Sequence, residues 1–171
     1  VPSWDNEKCI GCNQCSFVCP HAAIRPFLAS EEEQAKAPEG FVTKKAVGKD
    51  MDKYGFRIQV SPLDCYSCYT CVNVCPAKEK ALVMEPLDTQ VKEHENWEYA
   101  VSLTQKETGL DKYTVKGSQF NQPLLEFSGA CAGCAETAYM KVLTQLFGQR
   151  MLVANATGCR SEEHTSELQS Q

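Results

Sequence analysis

Two cysteine runs with one spacing constrain this chain more than anything else in it. Cys9, Cys12, Cys15, Cys19 and Pro20 recur as Cys65, Cys68, Cys71, Cys75 and Pro76, every member displaced by 56 positions. Both copies read C-x-x-C-x-x-C-x-x-x-C-P, a known iron-sulfur run. Three thiolates at two-residue intervals wrap one face of an iron-sulfur cube within a short loop. The fourth, beside a proline that diverts the chain, points away to another cube. That division predicts crossed ligation, with Cys9, Cys12, Cys15 and Cys75 on one 4Fe-4S cluster and Cys65, Cys68, Cys71 and Cys19 on the other. Zinc is the competing reading, but a zinc site takes two separated cysteine pairs and leaves no regular third cysteine, so the spacing favours iron-sulfur.

Composition bounds the rest. A chain of 171 residues allows one ordinary domain or two small ones. Cysteine supplies 11 of those residues and is counted in the 43% hydrophobic fraction, so the apolar core is thin. An odd number of cysteines does not pair completely within one chain, and no charged-then-apolar leader precedes Val1, which argues against a secreted disulfide scaffold. The formal charge of −5 argues against nucleic acid or an anionic membrane as the main partner. No stretch approaches the roughly 20 apolar residues of a membrane span. A first residue other than Met fits a fragment.

Strand candidates at Ile24 to Leu28, Phe56 to Val60 and Ala81 to Met84 flank the two runs. Strand, cluster loop, helical turn and returning strand, repeated about a pseudo-twofold, describe an α+β, ferredoxin-like domain over residues 1–86 with two 4Fe-4S clusters. Between the halves, Ser30 and Glu33 have capping-box spacing before a short helix that Pro38 ends, and Gly40 to Gly55 reads as a surface excursion. Residues 87–126 read as a linker with a polar helix at Asp88 to Asn96. Tyr139, Val142, Leu143 and Leu146 then mark an amphipathic helix closed by Gly148, and Met151 to Ala156 reads as a strand.

Cys131 and Cys134 form a C-x-x-C at the entry to that helix, and Cys159 follows the strand. From the residues alone this third group is a redox dithiol, half a zinc site or buried cysteine. The segments Lys116-Gly117-Ser118-Gln119-Phe120, Pro123 to Cys134 and Ala154 to Cys159, with Pro2-Ser3-Trp4-Asp5 and Cys19 to Pro26, resemble the pyruvate:ferredoxin (flavodoxin) oxidoreductase family. The resemblance covers residues 1–159 and implies that residues 127–159 begin the thiamine-diphosphate-binding domain, a truncated αβ unit. It also implies that Cys131, Cys134 and Cys159 are ligands of a third, proximal 4Fe-4S cluster whose fourth ligand lies elsewhere, and that Glu136 and Cys159 contact thiamine diphosphate. Ala135 and Ala138 depart from the family, which has Gly and Pro there. His21, after the first Cys-Pro, reads as a surface or supporting residue.

The parent enzyme implied by the resemblance uses thiamine diphosphate, Mg and CoA to convert pyruvate to acetyl-CoA and CO2. It passes electrons through three clusters to ferredoxin or flavodoxin, and is expected to be a cytoplasmic homodimer. The present segment would relay electrons without turning over pyruvate, and no catalytic residue is assigned within it. A stand-alone two-cluster carrier and a related 2-oxoacid oxidoreductase with another substrate are the alternatives. From Arg160 onward the sequence resembles a translated adapter oligonucleotide, so residues 160–171 are expected to be a non-native tail.

Overall fold

The duplicated runs sit between strands that pair across the repeat, so each half completes the sheet of the other. The computed structural model describes residues 1–154. The first half consists of strand β1 (Pro2–Trp4), the first cysteine loop, helix α1 (Gln14–Phe17) and strand β2 (Ile24–Ala29). After α2 (Glu31–Lys36) and β3 (Lys44–Lys45), the second half repeats the order with β4 (Gly55–Val60), the second loop, α3 (Thr70–Val74) and β5 (Leu82–Met84). β1 pairs antiparallel with β5, Ser3 opposite Val83, and β2 pairs antiparallel with β4, Pro26 opposite Ile58. α1 lies against α3. The three flanking strands are where the sequence puts them, and β1, which lacks a strand-like pattern, is held by the returning strand and by Val1 donating from its amino group to Glu85 O at 2.8 Å.

β2 and β4 are buried on both faces. Ile24 and Leu28, with Phe56, Ile58 and Val60, form the core that meets the cysteines. The alternate positions Arg25, Phe27, Arg57 and Gln59 face a second layer. Pro26 is tolerated because β2 is an edge strand of the β2-β4-β3 sheet. Gly55 opens β4 where a Cβ would fall 2.5 Å from Gln34 Oε1 and 2.7 Å from Thr43 Oγ1. The Ser30 box forms as the spacing predicts, Ser30 Oγ accepting from the Glu33 N–H and Glu33 accepting from the Ser30 N–H.

Two readings need correction. Residues 40–55 are no mere surface excursion, since β3 pairs with β4 and both Ala46 and Met51 are buried in the core. A flexible thioether fills an irregular gap there that no periodic pattern announces. Residues 87–126, read as a linker, are anchored at two places, by Asn96, Trp97 and Ala100 and by Gly117 to Gln119, which are buried. They form α4 (Leu87–Gln90), α5 (Glu93–Ser102) and α6 (Val115–Ser118). Trp97 and Ala100 of α5 are buried, Trp97 standing edge-on to Phe27 and Phe127, and Arg57 pairs with Glu93 at 2.7 Å.

The last helix, α7 (Ala135–Phe147), ends at Gly148 as expected and passes into a 3-10 turn, Gly148–Arg150. Its orientation inverts the simplest reading of its amphipathic pattern. Thr137, Lys141 and Gln145 are buried, while Tyr139, Leu143 and Phe147 are exposed. Met151 to Ala154 are not a strand, because no neighbouring strand within the described residues supplies a ladder there. The remainder of that expected strand, Cys159 and residues 160–171 lie outside the described residues. No helix among the described residues is long and apolar enough to cross a membrane.

If α5 is part of the fold, Trp97→Ala should cost about 3–5 kcal/mol in denaturant-induced unfolding, the usual toll of emptying a buried aromatic site. An unchanged midpoint would make the α5 layer peripheral.

Candidate iron-sulfur centres

Each seven-residue run reverses direction around its middle cysteine, and the backbone does so with left-handed residues on both sides. Gly11 (φ 67°) and Asn13 (φ 62°) flank Cys12, and Ser67 (φ 50°) and Tyr69 (φ 65°) flank Cys68. Three of these four carry a Cβ, so the conformation costs free energy at each. Its recurrence at equivalent positions ties it to the loop geometry. In the first loop the residue before the middle cysteine, Gly11, donates its N–H to the first sulfur, Cys9 Sγ, at 3.4 Å. The third cysteine of each run then rides on a short helix, α1 or α3.

The eight cysteines border two cavities. Cys9, Cys12, Cys15 and Cys75 surround the first, with Trp4 and Ile58. Cys19, Cys65, Cys68 and Cys71 surround the second, with Ile24 and His21. Each cavity thus draws three cysteines from one run and the last cysteine from the other. Two lysines donate to backbone carbonyls of the first cavity's cysteines: Lys44 Nζ, from β3, to Cys9 O and Lys80 Nζ, from the second half, to Cys75 O, both at 2.6 Å.

Burial dominates the acidity of three of these thiols, Cys15, Cys65 and Cys71. It pushes Cys71 up to about 12, reinforced by Cys19, Cys65 and Cys68, and pushes Cys15 well above the usual thiol range, reinforced by Cys71, Cys9 and Cys12. Inert neutral thiols are the consequence unless a cationic group draws the protons off. Among the described residues no three Cys, His, Asp or Glu side chains converge on a point that could hold a single ion. Sulfurs arranged around a cavity suit a polynuclear group better than zinc, whose thiolates all lie about 2.3 Å from one metal. Each cavity is also lined by a ring whose nitrogen is buried and has no hydrogen-bond partner among the described residues, Trp4 Nε1 in the first and His21 Nε2 in the second. An indole N–H is a donor only, so what it lacks is an acceptor, and cluster sulfur is one. On these grounds the residues present fit two 4Fe-4S clusters.

His21 is buried rather than on the surface. Its ring lies 4.2 Å from that of Tyr66, and its Nδ1 lies 3.1 Å from Ser128 O and 3.2 Å from Ser128 Oγ. Trp4 and Lys141 likewise meet the cysteine runs without any motif to announce them. Only the fold, by bringing β1 and α7 alongside the loops, reveals them.

The third cysteine pair lies against the second run. Gly133 (φ 75°) repeats the left-handed residue that precedes Cys12 and Cys68, and a Cβ on it would lie 3.6 Å from both Cys68 Cβ and Thr70 Oγ1. Cys131 is exposed. Cys134 is half-buried and caps α7, and the backbone N–H of Thr137 holds its thiol below the ordinary range against the opposing effect of burial. Glu136, in the first turn of α7, is exposed.

Residues 8–78, which enclose both runs, match the 4Fe-4S dicluster domain family. Across 94% of its length the chain is 62% identical to a pyruvate-flavodoxin oxidoreductase of Enterobacter agglomerans and 60% identical to a pyruvate:ferredoxin oxidoreductase of Moorella thermoacetica. It is 53% identical, again over 94% of its length, to a mitochondrial pyruvate dehydrogenase [NADP(+)] of Euglena gracilis. The chain spans 14% of the length of each of the first two proteins and 9% of the third. Over nearly all of its residues, then, the chain is similar to one segment of pyruvate:ferredoxin and pyruvate-flavodoxin oxidoreductases, and within that span it matches a 4Fe-4S dicluster domain.

Proposed function

We propose that this chain is the electron-relay segment of a 2-oxoacid oxidoreductase that converts pyruvate and CoA to acetyl-CoA and CO2 and delivers the electrons to ferredoxin or flavodoxin. The observation that carries the reading is the grouping of ten cysteines into two neighbouring cavities and a third loop packed on the second of them. A 4Fe-4S cluster takes up and releases one electron at a time. Cys9, Cys12, Cys15 and Cys75 would hold one, and Cys65, Cys68, Cys71 and Cys19 the other. Cys131 and Cys134, with Cys159 and a ligand from outside this chain, would hold a third beside thiamine diphosphate and its Mg, where Glu136 and Cys159 would contact the cofactor.

The placement of these residues supports one order for the path. The Cys131–Cys134 loop touches the second run at Cys68 and Thr70, α1 and α3 join the second cavity to the first, and Ile10, 56% exposed beside the first cavity, is where an external acceptor would approach. Apolar side chains, Ile58 and Leu82 at the first cavity and Ile24 and Val60 at the second, would lower the polarity around the clusters, and the Trp4 N–H would be available to hydrogen-bond sulfur. Thiamine chemistry and pyruvate recognition would belong to the remainder of a homodimeric cytoplasmic enzyme. The stand-alone carrier is disfavoured by the high identity to pyruvate oxidoreductases, which runs across 94% of the chain and so well past the dicluster domain.

Crossed ligation is tested by serine substitution in the iron-loaded chain. Cys75→Ser should alter the same electron paramagnetic resonance signal as Cys12→Ser, and Cys19→Ser the same signal as Cys68→Ser. Pairing of Cys75 with Cys68 would refute the assignment. The relay is tested by mixing the dithionite-reduced chain with ferredoxin or flavodoxin. Stepwise one-electron transfer is expected, with no reduction of the chain when pyruvate, CoA and thiamine diphosphate replace dithionite. Pyruvate-dependent reduction by this chain alone would overturn the division of labour.

A further inference from the structure

Helix α7 buries an ammonium group in the seam between itself and the cysteine runs. Lys141 is 1% exposed. Its Nζ donates to Ser16 O, to Phe17 O at 3.1 Å and to Gln119 Oε1 at 3.3 Å. Among the described residues no carboxylate lies within ion-pair distance of it. Arg25, the other cation that bears on it, already has Glu126 as its partner. Carbonyl oxygens solvate an ammonium but do not neutralise it, and an unpaired buried charge is costly. The cost is visible in the acidity of the group: burial pulls it down to about 8, while Cys19 and Cys15 act in the opposite direction. Those two cysteines border different cavities, Cys15 the first and Cys19 the second.

We propose that Lys141 supplies the counter-charge to both cysteine-bound clusters, and that its fixed positive charge holds both reduction potentials above the values the two loops alone would set. The proposal rests on the cluster reading above and extends it to a residue outside the cysteine motifs. Four thiolates around an oxidised 4Fe-4S core carry a charge of about −2, and reduction adds another negative charge. A cation held in a water-poor seam stabilises that added charge more than one in solvent does. Because Lys141 sits on the helix that follows Cys131 and Cys134, seating of α7 would set the potentials of the two clusters in the ferredoxin-like half. Lys141 is therefore a positioning residue for charge and touches no reacting atom.

Four variants of the iron-loaded chain separate charge from packing. Lys141→Gln keeps an amide donor for the carbonyls of Ser16 and Phe17 without the charge, Lys141→Met removes both, and Lys141→Arg keeps the charge. Gln145→Leu cuts the hydrogen bond that Gln119 donates to Gln145 and the one that Gln145 donates to Asn121 O in the same seam, and leaves Lys141 intact. Midpoint potentials of both clusters are read by redox titration followed by paramagnetic resonance. The Gln and Met variants should lower both potentials by at least a tenfold change in the one-electron equilibrium, about 59 mV. Lys141→Arg and Gln145→Leu should stay near the wild type. Unchanged potentials in loaded Lys141→Gln would overturn the proposal, as would an equal shift in Gln145→Leu. If neither uncharged variant retains clusters, thermal unfolding of the cluster-free chains decides. Removing an uncompensated charge should leave them at least as stable as the wild type, and a lower midpoint would reduce Lys141 to a structural role. Failure of the wild-type chain itself to load two clusters is a separate result and would refute the cluster reading.

Discussion

Eight thiols gathered around two adjacent cavities are what the surrounding fold is arranged to hold. The buried apolar residues of β2 and β4 do not close on one another alone. They pack against Cys9, Cys15, Cys19, Cys65 and Cys71 as part of one core. In a domain this small, sulfur and the metal it binds take the place that further leucines and isoleucines would fill in a larger one. The crossing of the last cysteine of each run into the opposite cavity makes the two halves interdependent, since neither cavity is complete without the other half. The sheet pairings, β1 with β5 and β2 with β4, impose the same interdependence on the backbone.

Around that centre the charged residues are buried for distinct reasons. Arg25 and Arg57 lie on the face of the β2-β4 pair away from the cavities, each paired with a carboxylate, Glu126 and Glu93, and each stacked on aromatic rings of the outer layer. They fasten the segment after residue 86 onto the ferredoxin-like half. Lys141 differs because its partners are uncharged carbonyl and amide oxygens, and among the described residues no carboxylate pairs with it. An arrangement that looks electrostatically incomplete in the protein alone is completed by anionic clusters.

The cysteine chemistry is legible in the sequence because spacing within a short loop is a local property. The strands flanking each run and the Ser30 capping box are legible for the same reason. β1 is not, since Pro2–Trp4 is extended only because β5 is there to pair with it. The packed interior role of Ala46 and Met51 is hidden because nothing periodic marks a residue that fills a gap. The helix at 135–147 shows the limit most clearly. Periodicity identifies its apolar stripe, but within the described residues Thr137, Lys141 and Gln145 are the buried positions and Tyr139, Leu143 and Phe147 face outward. A stripe reveals which residues share a face, and only the fold reveals what that face meets. Lys141 and the unpartnered nitrogens of Trp4 and His21 belong to this second kind of information.

Electron relay requires centres close enough to exchange electrons singly, and the chain brings three cysteine groups together by contact of short loops rather than through one long element. The claim on which all of this depends is that the two cysteine cavities each hold a four-iron group. Iron and acid-labile sulfide analysis of the anaerobically reconstituted chain, with Cys131 and Cys134 replaced by Ser to silence the third group, tests it most directly. The account predicts about eight irons and eight sulfides per chain, four of each for a 4Fe-4S centre in each cavity. Four or fewer irons, or zinc bound without sulfide, would contradict it.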